Sequence, residues 1–136
     1  MTANTVIGPA WVGATVANLR AKGPPYYAAG YDGAGGYSAQ LRGQNFKHTA
    51  PSANWLPSTI AVEIWGQGLC AIEAERVIRL QLMVGGIYGL HTPIEVTLPH
   101  DTFGQVLYDP GDIWGLATLT KTDVEAADFG VIITRK

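Results

Sequence analysis

The chain predicts an all-β domain, an antiparallel sandwich or barrel of about eight short strands. Three observations lead there. Turn signals rich in Gly and Pro recur at spacings of roughly ten to fifteen residues, as they do between short strands. Between them apolar residues alternate with period two, most clearly over residues 59–65 and 77–84, which is the pattern of a half-buried strand. No stretch shows the strand–helix–strand rhythm of a parallel sheet. With 136 residues, 47% of them hydrophobic, the chain is long enough for one domain (residues 1–136) with its own core.

The elements follow in order. Residues 1–8 read as an extended arm, and Pro9 and Trp11 carry that character on through residue 13. Such an arm is either an assembly device, with Thr5, Val6, Ile7 and Trp11 as docking residues, or a frayed terminus. Residues 14–19 read as a strand, because Val, Thr and Asn weigh against a helix. From Gly23 to Tyr37 the texture changes to five glycines, two prolines and four tyrosines. A phosphate cradle is disfavoured there, since no Gly-Lys-Ser/Thr ending follows. Tyr offers rigid contact area with a polar tip, so Tyr26, Tyr27, Tyr31 and Tyr37 are candidate partner contacts. The alternative is an ordered but passive surface loop.

Residues 38–46 alternate loosely and predict a strand, followed by a turn-rich connection bounded by Pro51 and Pro57. Over 59–65, Ile60, Val62 and Ile64 share one face, with Ala61, Glu63 and Trp65 on the other. A continuous apolar face of that kind has to be buried against a second layer. Residues 72–84 are where a helix competes, with Glu73, Glu75, Arg76 and Arg79 decorating it. The alternation of Ile78, Leu80, Leu82 and Val84 nevertheless favours a strand over 75–84. Glu63 is then expected to pair across strands with Arg76 or Arg79. A short strand over 94–98, bracketed by Pro93 and Pro99, precedes a weaker one over 103–107. Asp109-Pro110-Gly111-Asp112 is strong turn chemistry. The chain then reads as a closing hairpin, with strands over 112–120 and 129–134. Thr122, with Glu125 three positions on, sets a single helical turn between them.

Charge narrows the function. Nine basic residues against eleven acidic ones give a net charge of −2, and the basic ones are scattered, which excludes a nucleic-acid footprint. Charged residues are only 15% of the chain, so a self-association or docking face is expected. Cys70 is alone in an apolar setting and reads as a small buried hydrophobe, not a disulfide or a reactive thiol. The first residues lack the basic start and apolar core of a secretory signal. No window approaches the roughly 18 apolar residues of a membrane span. Neither a membrane partner nor a secretory route is expected.

Catalysis is not expected either. His48, His91 and His100 lack the i, i+2 or i, i+4 spacing that presents two metal ligands together, and they read as solvated loop residues. Ser38, Ser52 and Ser58 lie in no Gly-x-Ser-x-Gly elbow. Asp109 and Asp112 belong to a turn. No metal or cofactor is expected.

One ordered set of motifs adds to this. Tyr37-Ser38-Ala39-Gln40-Leu41 and Asn45-Phe46 precede a proline-bounded connection into Ser58-Thr59-Ile60-Ala61-Val62-Glu63-Ile64. The chain closes on Asp112-Ile113-Trp114-Gly115, Thr122-Asp123-Val124 and Asp128-Phe129-Gly130-Val131. In this the chain resembles a group of small tailed-bacteriophage structural proteins and prophage-encoded relatives. Those chains close on an acidic-aliphatic-Trp-Gly strand and an Asp-Val…Phe-Gly-Val strand. The resemblance spans residues 26–134, although 67–103 depart from the pattern.

It implies a jelly-roll-like β-sandwich in which Trp114, Gly115, Asp123, Phe129 and Gly130 are a fold signature. It further implies a non-enzymatic virion protein, assembled in the host cytoplasm as a homo-oligomer, with a trimer as the guess. Two roles fit. One is a decoration or cement protein on the head, bound to the major capsid protein or another virion protein. The other is a tail-tip or fibre module that binds a host glycan or surface protein through Tyr26, Tyr27, Tyr31 and Tyr37. The low charge, the lack of a catalytic set and the candidate docking arm favour the head. The tail role is the alternative, and a non-virion scaffold with the same sandwich comes third, because the middle diverges and loops select partners while a sandwich persists.

Overall fold

The computed structural model describes residues 5–7, 40–46, 48–68, 71–87 and 92–135. In chain order these form β1 (Thr5–Ile7), β2 (Gln40–Gln44), β3 (Val62–Gly66), β4 (Val77–Met83), β5 (Ile94–Thr97), β6 (Gly104–Tyr108), α1 (Lys121–Glu125) and β7 (Gly130–Arg135). A short 3-10 turn, Glu73–Arg76, leads into β4. The architecture is all-β. Five strands make one sheet in the order β1-β2-β7-β4-β5, β3 and β6 make a two-stranded ribbon, and every neighbouring pair is antiparallel.

β4 shows how the pattern becomes a layer. Its even positions Ile78, Leu80 and Leu82 are buried, while Val77, Arg79 and Gln81 are half-buried on the opposite face. Opposite Leu80 and Leu82 in the register stand Ile133 and Val131 of β7, and opposite those stand Leu41 and Gly43 of β2. This apolar face packs against Val62 and Ile64 of β3, Tyr108 of β6, and Trp114, Leu119, Val124 and Phe129 from the segment between β6 and β7. Each fully buried aliphatic side chain contributes about 1.5–3 kcal/mol, so this shared face is the main favourable term of the fold. Ile132 and Met83, on the sheet's other face, are also only 1% exposed.

Several expectations hold, with shifted bounds. Ile60, Val62 and Ile64 all pack on the core as their alternation predicts. The strands predicted over 38–46, 94–98 and 103–107 correspond to β2, β5 and β6. The strand predicted over 75–84 loses its first two residues to the 3-10 turn, where Glu73 and Glu75 are exposed.

Other expectations are corrected. No strand forms over 112–120. Asp112 Oδ1 accepts the Trp114 N–H at 2.7 Å, and Leu116 N–H donates to the Ile113 carbonyl at 3.2 Å, so the backbone folds into turns. Ile113, Leu116 and Leu119 recur every third residue, a spacing no strand can keep on one face. Consequently the chain does not close on a hairpin: β7 pairs with β2 and β4 in mid-sheet. The helical turn exists, but its cap is Thr120, not Thr122. Thr120 Oγ1 accepts the Asp123 N–H at 3.3 Å, and Asp123 Oδ2 accepts the Thr120 N–H at 2.8 Å. Glu125 is engaged elsewhere, accepting the Ala50 N–H at 2.7 Å.

Glu63 does not pair with Arg76 or Arg79 in the way expected. β3 lies in the ribbon, away from β4 in the hydrogen-bonded order, and Arg79 instead bridges Glu95 of β5 at 2.9 Å. Arg76 donates to the Leu98 carbonyl at 2.6 Å. The strand predicted over 14–19, along with Trp11, Cys70, His91 and the four candidate tyrosines, lies outside the described residues.

Gly130 opens β7 opposite Gln44 of β2. A Cβ there would lie 2.3 Å from the Gly43 carbonyl oxygen and 2.9 Å from Gln44 Cα, both backbone atoms that cannot turn aside. Gly111 differs, with φ of +73° and nothing within 4 Å of a would-be Cβ. We expect Gly130→Ala to cost about 3 kcal/mol by forcing β2 off β7. Gly111→Ala should cost only the roughly 1–2 kcal/mol of a left-handed backbone. Urea unfolding of the two variants checks both.

Candidate docking face

The ribbon presents the site. β3 and β6 pair Glu63 with Leu107 and Trp65 with Gln105, while Val62, Ile64, Val106 and Tyr108 occupy the alternate positions. Since Val62, Ile64 and Tyr108 go to the core, the period of two sends Glu63, Trp65, Gln105 and Leu107 outward. Phe103, just before β6, stacks on Trp65 with ring centroids 6.2 Å apart and planes 29° from parallel. Glu63 Oε1 accepts the Trp65 indole N–H, which fixes the ring on the ribbon surface. Leu107 is 58% exposed and its opposite neighbour Glu63 is exposed as well. The result is an outward face on which Trp65, Phe103 and Leu107 are interleaved with Glu63 and Gln105, and whose stacked ring pair is held by the Glu63 carboxylate.

The ribbon is set in place from one end, where the start of β3 lies beside the end of β6. Trp114 is buried and donates its indole N–H to the Ile60 carbonyl at 2.7 Å, two residues before β3. The Ile60 N–H donates in turn to the Asp112 carbonyl at 3.1 Å. Trp114 and Gly115 both have positive φ, +64° and +68°, so the turn that aims the indole needs Gly at its second position and tolerates Trp only because packing and hydrogen bonds hold it. The Tyr108 ring meets the Trp114 ring edge-on at 5.0 Å, tying the end of β6 to the same anchor. Nearby, Thr59 Oγ1 donates to Asp109 Oδ1 at 3.2 Å, and the same oxygen accepts the Gly111 N–H at 3.0 Å.

The fold-signature residues are therefore placed as scaffold. Trp114 and Phe129 are core, Gly115 makes the turn, Asp123 completes the α1 cap and Gly130 permits the β2–β7 approach. Of the arm residues, Thr5, Val6 and Ile7 pair with β2 at the sheet edge, opposite Gln44, Gly43 and Arg42. An open depression of about 460 Å³ lies against Thr92, Ile94, Tyr108, Pro110, Asp112, Trp114 and Gly115. Its indole is committed to Ile60 and its carboxylate to the Trp114 amide.

Among the described residues no group of three His, Cys, Asp or Glu could hold a metal ion. His48 packs against Trp55 with ring centroids 5.0 Å apart, and His100 Nε2 lies 3.1 Å from Asp101. The outward ribbon face was legible in part: Glu63 and Trp65 alternate away from the core strand. Its other half was hidden, because nothing local in 103–107 says that this segment is the partner of β3.

No family model, curated protein or solved structure matches this chain.

Trp114→Phe removes the donor to Ile60 and keeps most of the ring. Loss of a hydrogen bond to a partly buried carbonyl, together with the poorer fill, should lower stability by about 2 kcal/mol. Thr120→Ala, which opens the α1 cap, should cost about 1 kcal/mol. Chemical denaturation monitored by tryptophan fluorescence checks both values.

Proposed function

We propose that this chain is a non-enzymatic structural protein of a tailed-bacteriophage virion, a decoration or cement protein that binds the head lattice as a homo-oligomer. A trimer is the expected state, the major capsid protein is the expected partner, and the sandwich is of jelly-roll type. The observation that carries the reading is the outward face of the β3–β6 ribbon, where Trp65 stacks on Phe103, Glu63 holds the Trp65 indole, and Leu107 stands exposed on the same face. Tryptophan and its packed neighbours are the residue types that dominate the energy of protein interfaces. A face built this way on a lightly charged chain suits a static contact between large assemblies. The resemblance of the closing motifs to those of small phage structural proteins supports the same reading.

The test uses heads assembled without this chain, to which the purified protein is added. Leu107 stands opposite Glu63, so Leu107→Lys creates an opposite-charge pair on the ribbon and leaves the fold intact. We expect Leu107→Lys and Trp65→Ala each to reduce head occupancy at least tenfold, with the melting temperature of Leu107→Lys within about 2 °C of the parent. Undiminished occupancy by Leu107→Lys would overturn the assignment of this face.

A further inference from the structure

We propose that Arg76 is the positioning residue of the docking face, holding the segment 98–101 on which the Trp65 and Phe103 rings are seated. The inference rests on the docking role given to that face above. The ring pair lies at the end of the ribbon away from the Trp114 anchor, since Trp65 is opposite Gln105 while Val62 is opposite Tyr108. The last register pair is Gly66 with Gly104, so a glycine directly follows each of Trp65 and Phe103. Period two turns these glycines inward where Trp65 and Gln105 turn outward. A Cβ on Gly66 would lie 3.3 Å from Leu98 Cδ2, and one on Gly104 would lie 3.1 Å from Pro99 Cγ. The ribbon end therefore rests directly on Leu98 and Pro99, and that segment sets where the two rings stand.

Arg76 grips this segment through both backbone groups of Leu98. Its Nη1 donates to the Leu98 carbonyl at 2.6 Å, and its own carbonyl accepts the Leu98 N–H at 3.0 Å. The aliphatic stem passes over Gly68, where a Cβ would meet Arg76 Cγ at 2.5 Å and Cδ at 2.7 Å. Gly68 closes on the same segment, donating to the Pro99 carbonyl at 2.8 Å and accepting the Asp101 N–H at 3.3 Å. Because Gly68 lies just past the end of β3, this one side chain ties the β4–β5 side of the sheet to the strand that carries Trp65. The guanidinium is poorly used for stability, since its Nε is buried with no partner. A dry, unpaired donor is a net cost to folding, so what Arg76 contributes is the placement of Leu98 and Pro99 under the ring pair.

The test uses the full chain labelled with 5-fluorotryptophan, which gives one fluorine resonance for each of its four tryptophans. Trp65→Phe and Trp114→Phe assign the two resonances at opposite ends of the ribbon. Arg76→Met keeps the stem over Gly68 and removes the guanidinium, while Arg76→Lys keeps a cationic donor for the Leu98 carbonyl. We expect the Trp65 resonance of Arg76→Met to shift or broaden while that of Trp114 stays in place. Occupancy on heads assembled without this chain should fall about tenfold, the equivalent of one displaced hot-spot contact. Arg76→Lys should return both readouts towards the parent. An unmoved Trp65 resonance in Arg76→Met overturns the positioning role, and so does movement of Trp65 and Trp114 together, which is general loosening. Failure of Arg76→Met to fold overturns it as well, because the residue would then serve stability. A displaced Trp65 resonance with undiminished head occupancy upholds the positioning role and overturns the docking role of the face instead.

Discussion

The hydrogen bond from the Trp114 indole to the Ile60 carbonyl is the contact on which the rest of the arrangement depends. It joins a turn after β6 to the residues just before β3, 54 positions apart in the chain. It therefore sets where the ribbon lies over the five-stranded sheet. The geometry that makes it possible is unusual: Trp114 is a bulky residue at positive φ, held there by Asp112 below and Tyr108 beside it. A large aromatic in such a conformation persists only when its surroundings over-determine it. Here the indole ring fills the core and its one polar atom is satisfied, so burial and hydrogen bonding act in the same direction.

This makes sense of the closing motifs. Asp112, Trp114 and Gly115 build the anchor, Thr120 and Asp123 start a one-turn helix that buries Val124, and Phe129 and Gly130 lead the last strand into mid-sheet. Each is tied to geometry, so the motif specifies a scaffold, and the function has to be sought on surfaces the scaffold leaves uncovered. Trp65, Phe103 and Leu107 are such a surface.

Strands with strict alternation were legible in the sequence. β4 and β3 announce themselves by period two, and the residues they bury are those the pattern names. Residues 112–120 look like a strand because a β-leaning composition masks a spacing of three, and the turn they form instead depends on Asp112 capturing the Trp114 amide. The α1 cap was displaced by two positions because Thr120 and Thr122 each have an acidic residue three positions on, at Asp123 and Glu125. The tertiary contact of Glu125 with Ala50 decided between them. Pairing was the hardest part. Local pattern cannot say that β6 joins β3, or that β7 is central, since both depend on contacts far apart in the chain. The candidate site shows the same division: Glu63 and Trp65 alternate visibly outward, while Phe103 and Leu107 join them only through the ribbon's register.

Docking of the ribbon face on a repeating lattice is the proposed role. The most direct measurement is the copy number of this chain in purified virions, by quantitative mass spectrometry against the major capsid protein. A decoration protein is present in hundreds of copies, in a fixed small-integer ratio to the capsid subunit. A few dozen copies or fewer would contradict a lattice role and point to the tail or a vertex, and none at all would remove the chain from the virion.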